Sequence, residues 1–203
     1  MTDLTAYVSN ASPFARKVRV TVLECGLEDR VTLIDVTNTA LKPDPAVVAA
    51  NPLGKIPALT RPDGPTVADS RVITRYLADL TATPLYPQDR IWEVLTLEAM
   101  ADGIMEAALA ISYELRFRPP EIVFHDWLEA QWRKVAQALH VIDTDWIEAL
   151  AAPLDGAQIA LGCALGYLDL RHDARGWRKD APALANWYAR FSERPAMVAT
   201  APA

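Results

Sequence analysis

The chain has 203 residues, 51% of them hydrophobic and 23% charged, a balance that excludes wholesale disorder and leaves room for one generous domain or two small ones. Its 20 basic and 26 acidic side chains leave a net charge of -6, which repels phosphate backbones and anionic lipid and so excludes nucleic acid and membrane as main partners. Two cysteines, Cys25 and Cys163, make neither a disulfide framework nor a zinc site and suit a reducing cytoplasm. The opening MTDLTAYVSN has no basic stretch followed by an apolar run, so no secretory leader is expected. The longest uncharged stretch, 156–168, has 13 residues, short of the roughly 18–20 that a membrane span needs.

In the first half, element types alternate. Leu4 to Val8 is a β-branched and aromatic run ending at a Ser-Asn turn signal. Pro13 suits the first turn of a helix on which Phe14, Val18, Val22 and Cys25 recur at helical spacing until Gly26 stops it. Val31 to Val36 reads as a second strand and Asp44 to Ala50 as a short helix ended by Asn51-Pro52. Extended pieces follow around Pro57 to Thr60 and Thr66 to Val67, parted by the turn signal Pro62-Asp63-Gly64, and Ser70 to Leu80 is a last helix. The order βαβαββα implies a mixed sheet flanked by helices.

Near residue 80 the composition changes. Ten of the fifteen valines precede Thr81, whereas all six tryptophans follow Arg90. Residues 1–80 are neutral and residues 81–203 carry the whole -6. Pro84 and Pro87 stiffen the connection between them, which predicts domains at 1–80 and 89–203 joined by a linker at 81–88. The second half has no comparable strand signal. Asp89 to Leu115 reads as a helix with Asp89 as N-cap, and Leu128, Trp132, Val135, Leu139, Ile142 and Trp146 mark one face of a second helix over 121–150. Asp155 with Gln158 is a variant capping box opening a third, Ile159 to Leu170. Helices burying such stripes on one another make an all-α bundle. The fold class is α/β followed by all-α.

Three windows carry chemistry. Ser12-Pro13-Phe14-Ala15-Arg16-Lys17-Val18-Arg19 places a hydroxyl between a strand and a helix start, beside free backbone N–H groups that favour an anion or thiolate; simple helix capping is the alternative. In Asn51-Pro52-Leu53-Gly54-Lys55-Ile56-Pro57-Ala58-Leu59 a proline enters a strand. That placement points either to an edge strand or to a cis peptide exposing the backbone of Ile56 to a ligand. Asp69-Ser70 is a carboxylate and hydroxyl at a helix start, an N-cap or a clamp for the charged ends of an amino acid.

Together these windows resemble the glutathione transferases, and the resemblance spans essentially the whole chain. It implies an N-terminal thioredoxin-like domain and a helical C-terminal domain. Ser-Pro-Phe-x-Arg-Lys-Val-Arg looks like the serine-type active-site segment, Asn-Pro-x-Gly-Lys-Ile-Pro is similar to the cis-proline segment, and Asp69-Ser70 to the acidic-Ser pair. By that resemblance Ser12 donates its hydroxyl to the sulfur of glutathione, with Phe14 beside it. Ile56, with Pro57 in cis, pairs its backbone with the cysteinyl residue, and Asp69 and Ser70 hold the γ-glutamyl end. Lys42, or alternatively Lys55, meets the glycine carboxylate. The electrophile is expected between the domains, over Phe14 and near Met105, Tyr113 and Arg116. The resemblance further implies a homodimer and no metal or cofactor beyond glutathione as co-substrate. A non-catalytic glutathione- or partner-binding protein on the same scaffold is the rival reading.

The remaining candidates are weaker. Tyr7 sits inside the first strand, and Ser9 precedes the Ser-Pro pair. Cys25 and Cys163 lie on apolar helix stretches and read as small core residues. His125, His140 and His172 have no metal-ligand spacing. The six tryptophans read as core, since no basic stripe accompanies them.

Overall fold

In the computed structural model, which describes residues 4–202, strand β1 (Leu4–Val8) buries Leu4, Ala6 and Val8 and leaves Thr5 and Tyr7 half-buried. That alternation marks a strand with one face on the core. β2 (Val31–Asp35) runs parallel to it, β3 (Ala58–Arg61) antiparallel on its other side, and β4 (Gly64–Val67) antiparallel to β3, giving the order β2-β1-β3-β4. A parallel pair needs a crossover, and helix α1 (Pro13–Glu24) supplies it. Ala15, Val18 and Val22 of α1 join Leu4, Ala6, Val8, Leu59, Ile73 and Leu77 in a single core. Gly26 ends that stretch at φ 62°, a left-handed conformation that glycine adopts without steric cost.

Two further helices complete this part. The short helix α2 (Pro45–Ala50) is capped by Asp44, whose carboxylate accepts from Ala46 N–H at 2.8 Å. α3 (Ser70–Thr81) packs on α1 and ends at Ala82, which takes φ 54° without being glycine.

The helical part contains α4 (Ile91–Phe117), α5 (His125–Asp145), α6 (Gly156–His172) and α7 (Pro182–Phe191). The helix expected from Asp89 starts two residues later, after a 3-10 turn at Gln88–Arg90. The helix expected over 121–150 is shorter at both ends. Pro119 and Pro120 hold the entry in a 3-10 turn, and beyond Trp146 the bonds tighten to a second one over Ile147–Ala151. Asp155 caps α6 through a 3.0 Å bond from Gln158 N–H. α7 was not legible from the sequence. Its cap comes from another helix, Asp143 of α5 accepting from Leu184 N–H at 2.7 Å.

The expected boundaries need a change at the C-terminus. The first compact unit runs to Ile91 and takes back the chain from Pro195; the second is Trp92–Arg194. Helix α8 (Pro195–Ala199) packs on α1, with Ala196 and Met197 buried. The tryptophans also divide. Trp177 and Trp187 are buried, but Trp92 is 78% exposed, because it lies across α4 from the buried stripe Val94, Leu97 and Ala101. Cys163 is fully buried and Cys25 packs against the first unit's core. Burial pushes the Cys25 thiol up, against opposing hydrogen bonds from Thr83 and Thr81. No described helix is long and apolar enough to cross a membrane.

Candidate functional site

Strand register brings the three windows to one edge of the sheet. Tyr7, next to the C-terminal end of β1, pairs with Ala58 at the start of β3, and Leu59 pairs with Val67 at the end of β4. The segment 9–12 leaves β1 there, Ile56-Pro57 enters β3 there, and Asp69-Ser70 leaves β4 there to open α3. The edge is therefore built from two helix N-termini and one strand entry.

Ser12 has extended backbone, φ -87° and ψ 121°, and its Oγ accepts from Ala15 N–H at 3.2 Å. Capping thus uses a lone pair and leaves the hydroxyl proton available to an acceptor. Phe14 is half-buried on the first turn of α1. Ile56-Pro57 is cis. Among the described residues neither the N–H nor the C=O of Ile56 has a hydrogen-bond partner.

A second cis peptide joins Ala68 to Asp69. Asp69 caps α3, accepting from Arg71 N–H at 3.0 Å and from Arg71 Nη2 at 3.1 Å. Partial burial raises its carboxyl, but the hydrogen bonds and charge of Arg71, helped by the charge of Lys17, outweigh this and hold it below the usual carboxylate range. Ser70 is 3% exposed and its hydroxyl bonds no other described residue. Lys17, on α1, is fully buried.

Lys42 and Lys55 are both exposed, on two loops that one side chain joins. Asn38 Nδ2 donates to Gly54 C=O at 3.0 Å, and Asn38 Oδ1 accepts from Asp44 N–H at 2.8 Å. Asn51 Nδ2 holds Lys55 C=O at 2.9 Å. Asn38 was not singled out from the sequence, and Asn51 was read only as the opening of the second window and the end of a short helix, with no role of its own. Tyr7 stands inside β1 and Ser9 accepts Ser12 N–H through its carbonyl at 3.2 Å.

In the helical unit the expected electrophile residues differ. Met105 is fully buried, which leaves it no surface to offer a ligand. Tyr113 is half-buried and its ring lies 5.1 Å from that of Phe117, over which the exposed Arg116 guanidinium stacks at 5.4 Å. A network missed in the sequence lies on the same helix. Ser112 Oγ is 3.2 Å from His172 Nε2 and accepts from Tyr167 OH at 3.2 Å, and His172 Nε2 is 2.9 Å from Ala108 C=O. A carbonyl only accepts, so Nε2 carries the proton. Among the described residues no group of three His, Cys, Asp or Glu is placed to hold a metal ion.

Residues 11–80 match the model for the glutathione S-transferase N-terminal domain, and residues 126–190 that for its C-terminal domain. The chain is also 32% identical over 199 residues, 96% of each chain, to the uncharacterized GST-like protein YibF of Escherichia coli (strain K12). It belongs to the glutathione S-transferase family. A solved structure of a glutathione transferase family member from Pseudomonas fluorescens Pf-5, with bound glutathione, is 45% identical, covers 99% of this chain and 100% of that one, and superposes with a TM-score of 0.96. Another from the same source, with bound S-(propanoic acid)-glutathione, is 44% identical at the same coverage with a TM-score of 0.92. The N-terminal transferase match contains all three windows. All of α4, with Tyr113 and Arg116, and all of α8 fall outside both matched stretches.

Proposed function

We propose that this chain is a serine-type glutathione transferase that binds glutathione at the sheet edge and activates its thiol through Ser12. One observation carries this: the Ser12 hydroxyl caps α1 as an acceptor, which leaves its proton for the sulfur. A thiol of pKa about 8.5 is roughly 3% ionised at pH 7, and lowering it to about 6.5 makes the thiolate dominant. The two units require about 2.7 kcal/mol of preference for the charged form. A hydroxyl hydrogen bond to an anion supplies about 1.5–3 kcal/mol and a helix N-terminus about 0.3–1 more. The thiol proton leaves to solvent and the sulfur lone pair forms the new bond to the electrophile, which either expels its leaving group with the bonding pair or opens a π bond and takes up a proton from solvent.

Ile56 offers the unpartnered N–H and C=O of its backbone to the cysteinyl residue. Ser70 and Asp69 take the carboxylate and ammonium of the γ-glutamyl end, and Lys42 or Lys55 the glycine carboxylate. The propanoic-acid adduct bound by the Pseudomonas relative supports small carboxylic acids that carry an activated double bond or a leaving group as the first electrophiles to assay, with Tyr113 and Arg116 as the residues to vary. We take the working form to be a homodimer.

Ser12→Ala tests the assignment. It is expected to raise the thiol pKa of enzyme-bound glutathione and slow conjugation at neutral pH, with partial recovery in alkali. Ser12→Cys is expected to shift activity toward disulfide exchange, because a thiolate there forms a mixed disulfide with glutathione. A covalent adduct on wild-type Ser12, or glutathione binding with no turnover of any electrophile, would overturn the mechanism and favour a binding protein.

A further inference from the structure

Arg16 is 4% exposed, and both hydrogen-bond partners of its guanidinium among the described residues come from the far end of the chain. Nη2 donates to Met197 C=O at 2.9 Å and Nε to Thr200 Oγ1 at 3.4 Å. The first is a carbonyl of α8, a five-residue helix whose last carbonyls have no intrahelical partner. Thr200, 2% exposed, donates its own proton to Ala196 C=O at 2.8 Å, which leaves its oxygen free to accept from Arg16. A buried cation demands such partners. Here the demand pins the last turn of the chain to α1.

The place of the clasp gives it a consequence. Arg16 N–H donates to Ser12 C=O at 2.9 Å, closing the first turn of α1. Ala15, next to Arg16, is the residue whose N–H the Ser12 hydroxyl accepts. Ala15, Val18 and Val22 fix one face of α1 on the sheet core, but Arg16 belongs to another face, and α8 packs on α1. The sheet and α3 hold α1 on its core face; on the face toward α8 the clasp supplies the hydrogen bonds that fix the turn which aims the Ser12 hydroxyl.

We propose that Arg16, clasped by Met197 and Thr200, is a positioning residue that sets the direction of the Ser12 hydroxyl. It touches neither sulfur nor electrophile, and it rests on the assignment of Ser12 made above. Hydrogen bonds weaken steeply as they bend, so a small rotation of the first turn of α1 lowers thiolate stabilisation while the contacts at Ile56, Asp69 and Ser70 persist.

The test uses the full-length protein with Arg16→Met, Arg16→Lys and Thr200→Val, and Ser12→Ala as reference. The pKa of bound glutathione is read from thiolate absorbance, alongside kcat, KM for glutathione and thermal unfolding. Arg16→Met is expected to raise the bound thiol pKa by about one unit, from about 6.5 to about 7.5, which leaves roughly a third of the thiolate fraction at pH 7. KM should change far less than kcat, and Arg16→Lys should restore part of the shift. Thr200→Val, which keeps the shape and removes the weak acceptor for Arg16 together with the local bond to Ala196 C=O, leaves no buried charge without its Met197 partner, so it should fold even where Arg16→Met does not and should show a smaller shift of the same sign. If these variants keep the wild-type thiol pKa while Ser12→Ala raises it, the clasp serves stability alone and the proposal is overturned. If Ser12→Ala leaves the thiol pKa unchanged, the Ser12 assignment itself fails, a distinct result that removes both.

Discussion

Ser70 and Asp69 are neighbours with different degrees of freedom. The Asp69 carboxylate already holds Arg71 through two hydrogen bonds, so a ligand ammonium must share it, whereas the Ser70 hydroxyl bonds nothing else in the described chain. The serine is therefore the sharper probe of glutathione binding. Ser70→Ala is expected to weaken binding by about 1–3 kcal/mol, the loss of one hydrogen bond to a charged group. Calorimetry showing unchanged affinity for both Ser70→Ala and Asp69→Ala would move the γ-glutamyl end elsewhere. Residues of this kind were legible because they combine a chemical group with a positional signal, a hydroxyl or carboxylate at a helix start. The bonding roles of Asn38 and Asn51 were not. Their bonds run from side chain to loop backbone, a pattern with no periodicity to read. Asn38→Ala removes two such bonds and frees the Lys42 loop from Gly54, so it is expected to weaken glutathione binding with little loss of thermal stability.

Elements were legible where their ends carry their own caps. Ser12, Asp44, Asp69 and Asp155 each accept from the first turn of the helix they open, and all four helices stand where the sequence places them, α6 extending beyond the expected Ile159 to Leu170 at both ends. α7 and α8 were missed because what secures them lies far away in sequence: Asp143 for the start of α7, and Arg16 for the end of α8. The same distinction separates two stability predictions. Asp155→Ala removes a local cap and is expected to cost about 0.5–2 kcal/mol, read from denaturant unfolding at neutral pH.

His172 ties α6 to α4 through Ala108 and Ser112, and α5 borders it where the Trp132 ring stands 6.1 Å away. Burial pushes the His172 pKa down, aided by the charges of Arg175 and Arg171 and opposed by the bond to Ala108. The unfolded chain then binds the proton more readily than the folded one. The stability contribution is complete above the unfolded pKa of about 6.5 and is lost as pH falls from there through the lower folded value. His172→Gln retains a donor but does not titrate. It is expected to flatten the decline in unfolding free energy between about pH 7 and pH 5, and an unchanged slope would show that other groups govern that limb.

At the scale of the whole molecule, the proposed homodimer can be tested on one surface of the helical unit. A groove of about 380 Å³ opens between α4 and α5, lined by Met100, Gly103, Ile104 and Ala107 with Glu106 on one helix and Lys134 on the other. Gly103 is exposed, and a Cβ there would meet no other atom within 4 Å, so nothing inside the chain explains its lack of a side chain. An isologous contact sets each patch against its own copy. In that contact Glu106 of one subunit is expected to face Lys134 of the other, which offsets locally the repulsion between two copies of residues 81–203 that each carry a net charge of -6. Light scattering at micromolar concentration is expected to give twice the chain mass of 22.3 kDa. Gly103→Trp, which fills the groove and leaves the sheet edge untouched, should shift that mass toward one chain. The charge swap Glu106→Lys with Lys134→Glu should preserve the dimer where either single change weakens it. A wild-type mass near one chain would refute the dimer; a dimer indifferent to Gly103→Trp would place its interface on another face.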